Sequence, residues 1–247
     1  MTVQDIVNVL EQKAPFSTAE EWDNVGVLVG DNQASVSAVL VALDVANEVI
    51  EQAIEQGVQL IVTHHPIIFD SLKALPSSHP VYRLAAAGIA VLSAHTNADK
   101  ALGGVNDCLC EMLGLTAVSV AEDGLCRIGR LPFAMSADAF AVHVGNCLGT
   151  AVRLRAGDDT IQTVAVCGGS GADLVIPLLA KADAAVTSEV KHHEWLCVPS
   201  AKTLLDGGHY ATENAITERF AEWLRKALPT LSVSVHKGQA PYTTIEG

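Results

Sequence analysis

Short apolar runs alternate with segments of helical period along most of the chain. Residues 39–43, 58–62, 89–92, 163–166 and 184–186 are near-continuous apolar stretches, the pattern of parallel strands covered on both faces. Weaker strand patterns occupy 25–29, 127–131, 152–155, 231–235 and the segment opening at Leu204. Thr2 has the chemistry of a helix N-cap, with Val3, Ile6, Val7 and Leu10 at helical spacing behind it and Pro15 past the end. Further helices are predicted at 46–56, closed by Gly57, and at 82–87, 105–113, 137–147 and 172–180. Trp195 and its neighbours also read as helical, and 212–228 reads as one long amphipathic helix. Strands that alternate with helices indicate an α/β fold.

The pattern also repeats. One constant offset sets residues 37–65 beside 161–189, strand on strand and helix on helix, with Thr63 facing Thr187. At a different offset, His95-Thr96-Asn97-Ala98-Asp99 parallels His209-Tyr210-Ala211-Thr212-Glu213, each with a carboxylate four residues after a histidine. Two related α/β lobes, 1–124 and 125–247, would produce this, with the C-terminal tail packing back on the first. A generic strand–helix rhythm can imitate the first match.

Composition narrows the function classes. The chain has 247 residues, 49% of them hydrophobic and 17% charged, which suits packed α/β lobes and excludes disorder. A formal net charge of −13, with no run of Lys or Arg, argues against nucleic-acid binding. No apolar run reaches the ~18 residues of a membrane span. The N-terminal segment reads as a polar helix, not a basic region followed by an apolar core, so no secretory signal is expected. The six cysteines (Cys108, Cys110, Cys126, Cys147, Cys167 and Cys197) form no C-x-x-C pair. Buried reduced thiols and a cytoplasmic location follow as expectations.

Candidate chemistry gathers where strands end. His64-His65, the segment from His95 to Asp99, the segment from Glu189 to His193, and the segment from His209 to Glu213 each follow an apolar strand. Ligands of open α/β sheets bind beyond the carboxyl ends of the strands. Imidazoles with carboxylates suit zinc, iron, manganese, cobalt or nickel. On an extended segment His64 and His65 point to opposite sides and reach two different ions. His209 and Glu213 share a face if a helix has begun by Tyr210. Simpler roles exist for each residue. His95 can orient a ligand without being one, His192 and His193 can be solvated, Asp99 can cap a helix before Gly103-Gly104, and Glu213 can answer a helix dipole. Those roles would all have to hold together, at several strand ends.

Five segments stand out in order: Trp22-Asp23-Asn24-Val25-Gly26, Thr63-His64-His65-Pro66-Ile67-Ile68-Phe69, His95-Thr96-Asn97-Ala98-Asp99, Gly103-Gly104-Val105-Asn106-Asp107 and Gly208-His209-Tyr210-Ala211-Thr212-Glu213. In these segments the chain resembles the Nif-three-like dinuclear metal-centre proteins, also called GTP cyclohydrolase I type 2 homologues. The resemblance implies two α/β lobes with a two-metal site in the cleft between them, and a ring-shaped homohexamer. By position it implies His64, His65, Asp99, His209 and Glu213 as ligands of two divalent transition-metal ions, with His95 and His193 lining the site. This chain departs from the family at Ser188 and Glu189, where Gly and Asp are usual, and at His192, where Tyr is usual.

The function expected from these residues is metal-dependent hydrolysis of a small molecule or nucleotide, with Glu189 or His193 as general acid or base. A non-enzymatic metal-binding scaffold or regulatory protein is the alternative. The turn Gly168-Gly169-Ser170-Gly171 follows a strand and offers a possible phosphate contact, though such a turn more often only connects elements.

Overall fold

The computed structural model describes residues 1–158 and 160–243. In chain order, a first run comprises α1 (Val3–Lys13), β1 (Gly26–Val29), β2 (Ala38–Ala42), α2 (Asn47–Gln56), β3 (Leu60–Thr63), α3 (Pro80–Ala86), β4 (Ala90–Ser93) and α4 (Thr96–Lys100). A second run comprises α5 (Val105–Met112), β5 (Thr116–Val120), β6 (Arg127–Met135), α6 (Ala137–Leu148), β7 (Arg153–Arg155), β8 (Ile161–Val166), α7 (Ala172–Leu178), β9 (Ala184–Thr187), α8 (His192–Cys197), β10 (Thr203–Asp206) and α9 (His209–Glu213). The chain then continues into α10 (Ala215–Ala227) and β11 (Ser232–Val235).

These elements form two compact units. The first is Met1–Gly104 with Ile216–Gly238, and the second is Val105–Ala215 with the segment from Gln239. A division at residue 124 is therefore not what the contacts give. The boundary lies at Gly104 because β5 pairs antiparallel with β6 and α5 packs Leu109, Cys110 and Leu113 into the second core, while the C-terminal segment returns to the first unit, as expected, with β11 adding in parallel to β2.

The first unit holds a five-stranded sheet in the order β1-β4-β3-β2-β11. Strands β11, β2, β3 and β4 run parallel, and β1 is antiparallel against β4. Leu40, Ala42, Ile61 and Val91 cluster with Val49, Ile50 and Ala53 of α2 and with Leu84 of α3. Their neighbours Val39, Val41, Leu60, Val62 and Leu92 project to the opposite face and are fully buried too. Burial on both faces explains why the sequence shows unbroken apolar runs instead of alternation. Each such side chain contributes roughly 1.5–3 kcal/mol of transfer free energy. Helix α2 ends at Gly57, whose φ of +63° is the left-handed C-terminal cap.

The second unit holds a six-stranded sheet in the order β5-β6-β8-β9-β10-β7. Strands β8, β9 and β10 are parallel, and β7 and β6 flank them antiparallel. One face packs Ala165, Cys167, Ala185 and Leu204 against Ala172 and Val175 of α7. The other packs Val164, Val166, Ala184, Val186 and Leu205 with Phe140 and Val144 of α6 and with Leu109 and Cys110 of α5. Burial pushes the Cys110 thiol up to about 12, with Asp107 adding to the shift, so it is an inert apolar group. All six cysteines are free, and Cys108, Cys110, Cys126 and Cys167 are buried, while Cys147 is half-buried and Cys197 exposed.

Two further elements differ from the sequence reading. Strand β5 escapes it because all five of its residues are exposed, leaving no buried face to mark the period. The helix expected over 212–228 is divided at Asn214, and its first piece starts earlier, at His209. Gly208, at φ +79°, turns the chain out of β10 directly into that piece. Among the described residues, no helix is long and apolar enough to cross a membrane.

Candidate metal centre

In the first unit the site residues follow β3 and β4. Thr63 ends β3 with its hydroxyl hydrogen-bonded to Ser93, at the end of β4, at 2.8 Å. The chain bends there, and the His65 N–H donates to the Leu43 carbonyl at 3.0 Å. The bend defeats the extended geometry that would send His64 and His65 to opposite sides. Their rings lie side by side instead, centroids 4.9 Å apart. His95 joins them, 5.1 Å from the His64 ring and 5.6 Å from the His65 ring. The three residues each offer a ligand nitrogen, all within 4.8 Å of one another.

Each of these imidazoles is held through Nδ1. His64 Nδ1 lies 3.0 Å from the Ala94 carbonyl, His65 Nδ1 2.7 Å from an Asp44 carboxylate oxygen, and His95 Nδ1 2.9 Å from Asp23 Oδ1. A carbonyl or ionised carboxylate only accepts, so each Nδ1 carries the proton and each neutral ring has its lone pair on Nε2. Metal-binding histidines are oriented in this way. His64, fully buried, sets Nε2 3.6 Å from Asp99 Oδ1 on α4. Two atoms that share a cation at ~2 Å bonds stand at about that separation.

Asp23 anchors this arrangement. Its carboxylate accepts from His95, from the Thr96 hydroxyl and from the Thr96 N–H. Burial alone would raise its pKa, but the hydrogen bonds from His95 and Thr96 outweigh that and hold the carboxyl well below the usual carboxylate range. Sequence reasoning left both Asp23 and Asp44 out of the site. Asp44 was findable, since it stands just past the apolar run that became β2 and so obeys the same strand-end rule. Asp23 lies in a turn and carries no such signal.

In the second unit the site residues follow β9 and β10. His209, at the start of α9, sets Nδ1 3.0 Å from Glu189 Oε1 and Nε2 2.9 Å from Glu213 Oε2. Glu213 is buried at the other end of α9. With Nδ1–H given to Glu189, the Nε2 lone pair faces an anionic oxygen, a pairing that a proton or a metal cation between them relieves. Glu189 takes φ +55° at the end of β9, a left-handed conformation rare outside glycine. The following N–H, of Val190, is fixed by Asp206 Oδ2 at 3.1 Å. Glu189 therefore sits where it orients His209. His192 and His193 open α8 and are exposed.

The turn at Gly168-Gly169-Ser170-Gly171 serves this cluster and is not an open phosphate cradle. Gly168 N–H donates to Asn106 Oδ1, Gly169 N–H to the Thr212 hydroxyl and Gly171 N–H to the Thr187 hydroxyl. A Cβ on Gly169 would stand 2.1 Å from Glu213 Oε1, so only glycine leaves room for that carboxylate.

Both clusters have the donor chemistry of sites for first-row divalent ions: neutral imidazoles with fixed tautomers, and carboxylates beside them. Within the first unit the structure brings together His64, His65, His95 and Asp99. Within the second it brings together Glu189, His209 and Glu213.

Comparison with known proteins identifies the family. A protein of Lactococcus lactis named GTP cyclohydrolase 1 type 2 homolog is 34% identical over 97% of this chain and 96% of its own length. One of Clostridium perfringens with the same name is 31% identical over 92% and 93%. Among solved structures, a Staphylococcus aureus hypothetical protein is similar with a TM-score of 0.91 and 27% identity, covering 99% of both chains. The profile described as Duf34/NIF3 (NGG1p interacting factor 3) matches residues 1–241, and the chain belongs to that family.

Proposed function

We propose that this protein binds two divalent transition-metal ions through His64, His65, Asp99, His209 and Glu213 and uses them to hydrolyse a small molecule or nucleotide. One observation carries the reading. Three imidazoles, each with Nδ1 tied to an acceptor, offer ligand nitrogens within 4.8 Å of one another, and His64 Nε2 stands 3.6 Å from the Asp99 carboxylate. Lone pairs and an anion gathered at that range repel one another, and a cation is what removes the repulsion. Zinc, iron, manganese, cobalt and nickel all suit these donors.

Bound cations supply Lewis acidity and an acidified water. In this proposal the chain's own residues do the rest. His95 sits beside His64 and His65 as an orienting group or an added ligand. Glu189 fixes His209 through Nδ1 and can take up a proton there. His193 is the candidate for passing a proton to the leaving group. The names of the curated relatives favour a nucleotide-like substrate and go no further than that.

The two units are related lobes in this proposal. In support, the order β1-β4-β3-β2 in one parallels β7-β10-β9-β8 in the other. Leu40 and Ile61 lie on the face covered by α2, Ala165 and Ala185 on the face covered by α7. This match moves the first strand one residue along from the constant offset seen in the sequence. The homohexamer is proposed from the family resemblance alone. The cytoplasm is proposed because six free thiols suit a reducing compartment.

The test is elemental analysis of the purified protein, followed by a screen of the metal-loaded protein against phosphoesters, nucleotides and cyclic amides. Close to two ions per chain and a hydrolytic activity lost in His65→Ala support the proposal. Absence of metal after supplementation overturns it. Two retained ions with no hydrolysis of any substrate class favour the metal-binding scaffold.

A further inference from the structure

Beside the histidine cluster of the first unit stand two large aromatic side chains, Trp22 and Phe69, which are 60% and 54% exposed. An exposed aromatic ring on its own is ordinary. These two touch each other, with ring centroids 5.8 Å apart. Both also meet the His95 ring nearly at right angles, at 6.2 Å and 75° for Trp22 and at 6.3 Å and 76° for Phe69. The three rings form an open corner whose inner wall belongs to the metal-binding cluster.

The corner is fixed by polar bonds as well as by ring contact. Asn24 Nδ2 donates to the Ile68 carbonyl at 2.6 Å, which staples the turn carrying Trp22 to the loop carrying Phe69. Asp23, between Trp22 and Asn24, holds His95 and Thr96. The same short turn therefore orients His95 and sets the pose of Trp22. Rings held open to solvent by part-buried hydrogen bonds present their π faces at little ordering cost to an incoming group.

We propose that Trp22 and Phe69 are a stacking platform for a flat, unsaturated ring of nucleobase size, whose polar edge is turned toward His64, His65 and His95. A planar heterocycle matches aromatic faces, and its carbonyl or ring nitrogens match a site of imidazoles and cations. An aliphatic amino acid has no π face to offer these rings. This platform rests on the reading of the cluster as a metal site and names the substrate class for it.

The test is equilibrium binding of guanosine, adenosine and uridine, none of which carries a phosphate, with free ribose as the ringless control. It uses the full-length zinc-loaded protein, with zinc content and oligomeric mass measured on every variant. The expected result is binding of at least one nucleoside and none of ribose. Trp22→Ala and Phe69→Ala should each weaken it about tenfold, the size of one lost stacking contact. Trp22→Phe should restore most of the binding, with zinc content unchanged in all variants. Failure of every nucleoside to bind, or binding unchanged in both alanine variants, overturns the platform. So does a fall in oligomeric mass in Trp22→Ala with nucleoside binding intact, which would assign the corner to contact between copies. A wild type that binds nucleosides but no zinc overturns the metal site and leaves the platform standing.

Discussion

The end of β3 and the end of β9 are built alike and furnished differently. Each central strand closes on a buried threonine, Thr63 or Thr187, whose hydroxyl ties down a neighbouring segment. After Thr63 come His64 and His65, and after Thr187 come Ser188 and Glu189. The first cluster is thus rich in nitrogen, with three imidazoles each anchored by an acceptor of its own. The second has one imidazole between two carboxylates. The imidazoles of the first cluster are held in place by their Nδ1 acceptors against the repulsion that a cation would relieve, whereas the two carboxylates flanking His209 crowd unless a positive charge joins them. The first cluster should therefore be preorganised without metal, and the second should depend on it.

The comparison can be broken most severely by chelation. Metal removal should raise amide hydrogen exchange across α9 by tenfold or more and leave the amides of 63–66 nearly unchanged. Equal loosening of both segments would end the distinction. Next, Gly169→Ala should destabilise the protein by about 2 kcal/mol, from left-handed strain and the crowding of Glu213. Urea denaturation would show this, and an unmoved midpoint would mean Glu213 is not confined there.

Glu189→Gly gives an effect of mixed sign. Relief of the φ +55° conformation should stabilise the fold by about 1 kcal/mol. Loss of the His209 orienter should weaken metal binding about tenfold, as for other outer-shell partners. Stability and affinity moving in the same direction would contradict this. The smallest effect concerns pH. Asp183 is lowered: burial would raise it, but N–H donors of Thr163 and Gln162 and the nearby Lys202 charge prevail. Its folded pKa lies below the unfolded one, so its contribution is complete above about pH 4 and fades as pH falls through the folded value. Asp183→Asn should cost about 1 kcal/mol at neutral pH. Against wild type that deficit should shrink in strong acid. A constant deficit down to acid pH would point to lost packing instead.

Much of this was legible from patterning. The buried parallel strands announced themselves as apolar runs, and the histidines were findable because they follow directly where those runs stop. What escaped has a common cause. Whether His64 and His65 diverge or sit side by side depends on a bend set by a bond to Leu43, a partner far away in the chain. The boundary of the units at Gly104 depends on β5 choosing the edge of β6. Strand β5 has no buried side, and Asp23 acts through neighbours more than seventy positions away, as its bonds to His95 and Thr96 show. Local periodicity records which face is dry, and it is silent about long-range pairing.

The placement of β11 beside β2 bears on how the molecule is made. A ribosome delivers residues 38–42 well before 232–235, so the first sheet must wait with a bare margin until the long intervening chain has emerged. Until then β2 offers unsatisfied amides and carbonyls to any extended peptide nearby. The sheet whose first strands emerge before the others is thus the last to be finished, and the nascent chain is at greatest risk of mispairing during that interval.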